Sequence, residues 1–168
     1  RDGSLSPEDA VAALKHLPFE DIGFATLDHH RSLRQGVPEV IFCQNKTLEE
    51  ITEIVKRLRD HQHPVLATRV PSDTFEVLKT VFPDARFFAR SRVITLGAEL
   101  EAATVGNVLI ACAGTSDLPV AEEAAITAQF TGSRVTRLTD VGVAGIHRLL
   151  RRLDVIRAAN VIVVVAGM

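Results

Sequence analysis

Apolar and polar positions alternate along this chain with two distinct periods. Ile51, Ile54, Val55 and Leu58 recur at helical spacing behind Thr47, so an amphipathic helix is expected to start there with Thr47 as its cap. Ser6 followed by Pro7 predicts a helix start running to about Leu17. Ser72 is read as the cap of a third helix carrying Phe75, Leu78 and Val81. Short apolar runs bounded by polar residues predict strands at Glu39–Cys43 and Pro64–Val70, with two more inside Ala85–Leu96. Phe19–Gly36 is polar and reads as irregular.

The pattern changes near Thr104 and Gly106. Residues 107–113, 134–139 and 161–166 read as strands, separated by helical stretches at about 118–131 and 145–158. Two successive βαβ units imply parallel strands with right-handed crossovers. The fold class expected is therefore α/β. A small N-terminal α/β domain, 1–104, would precede the first βαβαβ of a flavodoxin-like parallel sheet, 105–168. The last run, VIVVVAGM, is hydrophobic enough to need cover on both faces, so this second unit is read as incomplete.

The 168 residues carry 46% hydrophobic and 24% charged residues and a formal net charge of −2. That balance provides no footprint for nucleic acid. No run is long enough to span a bilayer, and a cytoplasmic protein without a membrane partner is expected. Cys43 and Cys112 lie in apolar strand sequence, where a thiolate is disfavoured; they suit a reducing compartment and are not expected to act as nucleophiles.

Two stretches carry candidate chemistry, both just after strands. In NVLIACAGTSD, the strand stops at Gly114, and Thr115, Ser116 and Asp117 lead into a helix opened by Pro119. Amide groups at a helix start attract anions, and Gly114 is free to take positive φ and let a ligand approach the backbone. An ordinary βα turn capped by Ser116 or Asp117 has the same shape. In DVGVAGIHR, Gly142, Val143, Ala144 and Gly145 form a loop, and His147 and Arg148 fall in the first turn of the next helix. Arg148 suits a phosphate, and His147 suits a proton donor or acceptor. Ligands of such sheets bind at the carboxyl ends of the strands, so the binding site is assigned to Gly114–Asp117, Gly142–Gly145, His147 and Arg148.

The Ala-rich helical stretch, with Ala121, Ala124, Ala125 and Ala128, suits core packing or a subunit contact. The DHHR run, Asp28–Arg31, offers two histidines, but neighbours in sequence face apart and no further His or Cys stands at ligand spacing, so no metal is expected. Arg31, Arg34 and Gly36 are read instead as meeting an anion or a partner domain. Glu20, Asp21 and Glu99–Glu101 are read as solvated charges.

The segments AGTSDLP, AEEAAITA and DVGVAGIHRLL resemble the aminoimidazole-ribonucleotide carboxylases of purine synthesis. Together with LDHHRSLRQGVPEVIFCQNKT and LATR, they more closely resemble the nickel-pincer-nucleotide carboxylase/hydrolases that prepare the lactate racemase cofactor. That resemblance implies an enzyme acting on nicotinic acid adenine dinucleotide. CO2 or bicarbonate would be the co-substrate, no cofactor would be tightly bound, and Mg2+ is left open as an accessory ion. The ring would be carboxylated and the phosphoanhydride cleaved, giving a biscarboxylated pyridinium mononucleotide and AMP. Ser116 and Asp117 would hold ribose or phosphate, and Gly142–Gly145 with His147 and Arg148 the phosphate. Purine carboxylases have Ser-Ala before the His-Arg pair where this chain has Gly145-Ile146, which puts proton transfer by His147 in question. The resemblance places the catalytic glutamate and cysteine beyond Met168, so a chain ending there is expected to bind nucleotide without turnover. It also implies a homo-octamer for the whole protein. A purine-type carboxylase, a nucleotide-binding module without chemistry, and generic flavodoxin-like binding are the competing readings.

Overall fold

The computed structural model of the protein describes residues 6–9, 11, 19–97 and 105–167. The first helix expected, 6–17, lies mostly outside them; its start is described, and there Ser6 Oγ accepts from Asp9 N at 3.0 Å. The expected boundary at 104/105 adjoins residues outside the described set, and Glu99–Glu101 lie there as well.

A four-stranded sheet organises the N-terminal part. Its strands are β3 (Val40–Phe42), β4 (Val65–Thr68), β5 (Arg86–Phe88) and β6 (Val93–Leu96), in the order β3-β4-β6-β5. β3 and β4 run parallel, and the other pairings are antiparallel. Helix α2 (Leu48–Asp60) crosses from β3 to β4, as a parallel pair demands. Its start is a capping box: Thr47 Oγ1 accepts from Glu50 N at 3.2 Å, and Thr47 N donates to Glu50 Oε2 at 2.8 Å. Ile51, Ile54, Val55 and Leu58 are buried against Ile41, Val65, Ala67 and Ile94, each such side chain worth about 1.5–3 kcal/mol of apolar burial. Helix α3 (Ser72–Val81) covers the same core through Leu78. Its cap differs from expectation. Pro71 is the N-cap and Ser72 the first helical residue, with Asp73 Oδ1 accepting from Thr74 N.

Phe19–Gly36 is more ordered than its polarity suggests. β1 (Glu20–Asp21) and β2 (Thr26–Leu27) form an antiparallel pair, and a one-turn helix α1 (Arg31–Gln35) follows. Two-residue strands leave too little pattern to read from sequence. Gly36 ends α1 in the left-handed region, φ 72°, donating its N–H to Ser32 O.

The second unit is a three-stranded parallel sheet of β7 (Val105–Cys112), β8 (Ser133–Leu138) and β9 (Val161–Val165), in the order β8-β7-β9. β7 is the central strand, and its side chains alternate between two covers. Ile110 and Cys112 pack on Ala121 and Ala125 of helix α4 (Leu118–Phe130), whereas Leu109 and Ala111 face Leu149, Val155 and Ile156. The latter residues belong to α5 (Ile146–Leu150) and α6 (Leu153–Arg157). A single helix over 145–158 was expected. No Gly or Pro marks the break at Arg151-Arg152.

Helix α4 joins the two units. Its alanines lie on the parallel sheet, and Ile126 and Phe130 pack on Leu66, Val93 and Phe88 of the N-terminal sheet. Arg69 Nε pairs with Glu123 Oε2 at 3.0 Å alongside. A helix covered on two sides has apolar residues all round, which explains its lack of amphipathic period. Within this chain the Ala-rich stretch is core packing.

Candidate functional site at the carboxyl edge of the parallel sheet

The order β8-β7-β9 makes the carboxyl end of β7 a topological switch point. The chain leaves β7 toward one neighbour and returns, after β8, on the other side. In open α/β sheets the crevice at that point receives the ligand. Here backbone bonds stitch three strand ends together. Ala113 N donates to Val165 O at 3.1 Å, Gly142 N donates to Ala113 O at 2.9 Å, and Val141 N donates to Cys112 O at 3.1 Å. The loops 113–117 and 140–148, far apart in sequence, therefore meet at Ala113.

In the first loop, Thr115–Asp117 form a 3-10 turn that leads into α4. Gly114 is extended, φ −135°, and does not use the positive φ expected of it. A Cβ there would make only ordinary contacts with Asp117 and Ser116. Asp117 is 3% exposed, and its Oδ2 accepts from Gly114 N at 2.8 Å. Its carboxylate holds the turn closed, whereas Thr115 and Ser116 stay exposed.

In the second loop, Asp140 takes a left-handed φ of 57°, a conformation Asp tolerates better than most residues. Its carboxylate is ion-paired to Arg148 Nη1. Gly142 abuts the first loop: a Cβ there would lie 2.9 Å from Ala113 O. Gly145 abuts Arg148: a Cβ there would lie 2.5 Å from Nε and 2.8 Å from Nη2. Nε of Arg148 is buried and has no hydrogen-bond partner among the described residues. Val143 and Ala144 are exposed, and His147 presents its ring at the surface in the first turn of α5. Behind these loops an apolar recess of about 380 Å³ is lined by Leu109, Ala111, Val141, Gly142, Ile162 and Val164, among others. Its size falls within the range of small-molecule sites. Of the expected site residues it includes Gly142 and Val143; the polar groups stand outside it.

The DHHR segment belongs to the N-terminal unit. Asp28 accepts from Arg34 Nη1 at 3.1 Å and from Nη2, and its N–H donates to Glu39 Oε2 at 2.6 Å. The Arg34 guanidinium holds the Asp28 carboxyl below its ordinary pKa. Arg34 thus pairs with Asp28, and Gly36 ends α1. Glu20 is not a solvated charge: its carboxylate meets Arg57 Nη1 and His29 Nε2, both at 3.1 Å. Sequence reasoning missed Glu20, His61 and His63 as partners of His29. The HQH spelling at the end of α2 was the available signal.

An α/β N-terminal unit thus feeds a flavodoxin-like parallel sheet whose two loops meet at its carboxyl edge. Residues 19–98 match the LarB/PurE-like N-terminal domain. The chain is 33% identical over 177 residues to an uncharacterized protein of Methanocaldococcus jannaschii, covering 100% of this chain and 69% of that protein. The chain belongs to the LarB/PurE-like family of carboxylase-type proteins. No helix among the described residues is long and apolar enough to cross a membrane.

Proposed function

We propose that the protein is a carboxylase/hydrolase that carboxylates the pyridinium ring of nicotinic acid adenine dinucleotide and cleaves its phosphoanhydride, releasing AMP. The observation that carries this reading is the stitched carboxyl edge. Two loops with exposed hydroxyls, helix-start amides and an arginine converge on Ala113 beside an apolar recess. Such an edge suits a phosphate on the polar side and a flat ring on the apolar side. Thr115, Ser116 and the amides of the 3-10 turn would contact ribose or phosphate. Asp117, through Gly114, would position them. Arg148 would share its guanidinium between Asp140 and the phosphate, and Gly145 supplies the room its guanidinium occupies. His147 would donate a hydrogen bond.

The ring chemistry needs a nucleophile that first adds to the electron-poor pyridinium and creates a carbon nucleophile toward CO2. A base must then take the ring proton as the nucleophile leaves. Cys43 and Cys112 do not fill the first role. Both are buried, and burial pushes the Cys43 thiol up to about 12. The family resemblance assigns nucleophile and base to positions outside residues 1–168. Mg2+ and an octameric assembly remain part of the proposal on the same ground.

Carboxylation of an aminoimidazole ribonucleotide is the second reading, favoured by the shared parallel-sheet loops. The N-terminal domain match over 19–98 and the Gly145-Ile146 sequence before His147 weigh toward the first. The test uses protein from the complete gene, incubated with each substrate in a CO2/bicarbonate buffer and analysed by mass spectrometry. Gain of one carboxylate on the pyridinium nucleotide together with AMP is expected. Carboxylation of the imidazole ribonucleotide alone would replace the proposal by the second reading.

A further inference from the structure

Four residues from three parts of the N-terminal unit converge on one spot: Glu20 of β1, His29 after β2, and His61 and His63 at the end of α2. Left-handed Gln62, φ 59°, turns the chain between the last two. The His29 and His61 rings lie 3.9 Å apart, centroid to centroid, and His63 lies 5.6 Å from His29. Glu20, His29 and His61 each present one ligand atom, and the three atoms lie within 4.8 Å of one another. Glu20 Oε2 is 3.1 Å from His29 Nε2 and 3.8 Å from His61 Nε2. Donors at zinc bond lengths of about 2.0–2.2 Å stand roughly 3.4 Å apart in a tetrahedron, a spacing these two distances bracket.

Two further observations bear on the site. His29 is only 7% exposed, with Nε2 turned to Glu20, so imidazole and carboxylate meet away from solvent. The other oxygen of Glu20 is already fixed by Arg57, whose charge Glu53 also balances at 2.6 Å. That arrangement orients Oε2 toward the imidazoles, as outer partners orient metal-binding carboxylates.

We infer that Glu20, His29 and His61 form a site for a divalent transition cation, zinc in the first instance, in the N-terminal domain. Two imidazoles and a carboxylate are the donor set such a cation prefers over magnesium or calcium. With three protein ligands, a fourth position stays open beside half-exposed His61. The bound ion would tie β1 and the DHHR segment to the end of α2. The expectation of no metal rested on ligand spacing in the sequence, and the fold supplies the missing donors from residues distant in the chain.

The test uses the untagged full-length protein, stripped with a chelator and titrated with zinc alone against a chromophoric competitor. One equivalent per chain is expected, and cobalt(II) should give the visible bands of a tetrahedral site. His61→Ala is the decisive variant, because His61 is half exposed and its loss leaves the core intact. Its zinc affinity should fall by more than the roughly 10–100-fold that loss of an outer-shell partner costs, and Glu20→Gln should weaken binding likewise. His30→Ala, next to the cluster but outside it, should keep one equivalent. Zinc should raise the melting temperature of the wild type and not that of His61→Ala. Binding well below one equivalent, or full affinity in folded His61→Ala, would overturn the assignment.

Discussion

Gly142→Ala probes the junction on which the candidate site depends. The added methyl would lie 2.9 Å from Ala113 O and 3.4 Å from the carbonyl carbon and Cβ of Ala113. The nearest atom is backbone, held by Gly142 N on one side of Ala113 and by Val165 O on the other, so it has little freedom to yield. Overpacking of this kind costs about 1–3 kcal/mol. Alanine returns about 0.4–1 kcal/mol by restricting the unfolded chain, since the native φ of −61° suits it. The net loss spans about 0–2.6 kcal/mol and centres at about 1.3 kcal/mol, or roughly 3–5 °C in melting temperature for a chain of this size. Calorimetry of Gly142→Ala beside Gly114→Ala makes the comparison internal. Gly114 has an extended backbone and a Cβ there would make only ordinary contacts, so its variant should equal or slightly exceed the wild type in stability. Equal melting temperatures for the two variants would refute the claim that the loops are locked at Ala113.

Gly145→Ala should leave stability nearly unchanged, because the flexible Arg148 side chain can move away, but nucleotide affinity measured by calorimetry should drop. Arg148→Ala should weaken phosphate-bearing ligands about 10–100-fold, the range of a lost charge-assisted hydrogen bond, with little change in folding. Thr47→Ala removes one half of the α2 capping box and should cost about 1 kcal/mol by urea denaturation. Cys43 sets an alkaline limit. Its thiol is raised from 9.0 to about 12 by burial, so the folded state holds the proton longer than the unfolded state. Its contribution is complete below the unfolded value and is lost as pH rises toward 12. Urea titrations at increasing pH should therefore show stability falling above about pH 9, less so in Cys43→Ala, and thiol reagents should reach Cys43 only on unfolding.

The regular elements were legible because local signals agreed with tertiary need. Thr47 and Glu50 announce α2, and the spacing of Ile51, Ile54, Val55 and Leu58 matches its buried stripe. The parallel strands expected at 107–113, 134–139 and 161–166 stand at Val105–Cys112, Ser133–Leu138 and Val161–Val165, the first and last announced by apolar runs that stop at Gly. What escaped depends on distant partners. β1 and β2 exist through pairing across two residues each. The need for Gly142 lies in Ala113 O, which no local pattern reveals. Gly114 was read as a conformational glycine, whereas its backbone is extended and Asp117 closes the turn. Glu20, His29 and His61 were judged separately because the fold alone brings them together.

The central claim is that the loops meeting at Ala113 serve a carboxylase acting on a pyridinium nucleotide. Its most direct test is mass spectrometry of nicotinic acid adenine dinucleotide incubated with CO2 and protein from the complete gene, wild type beside Arg148→Ala. The account predicts one added carboxylate and free AMP for the wild type and a strongly reduced yield for the variant. An unchanged dinucleotide in the wild-type reaction, alongside carboxylation of an imidazole ribonucleotide, would contradict it.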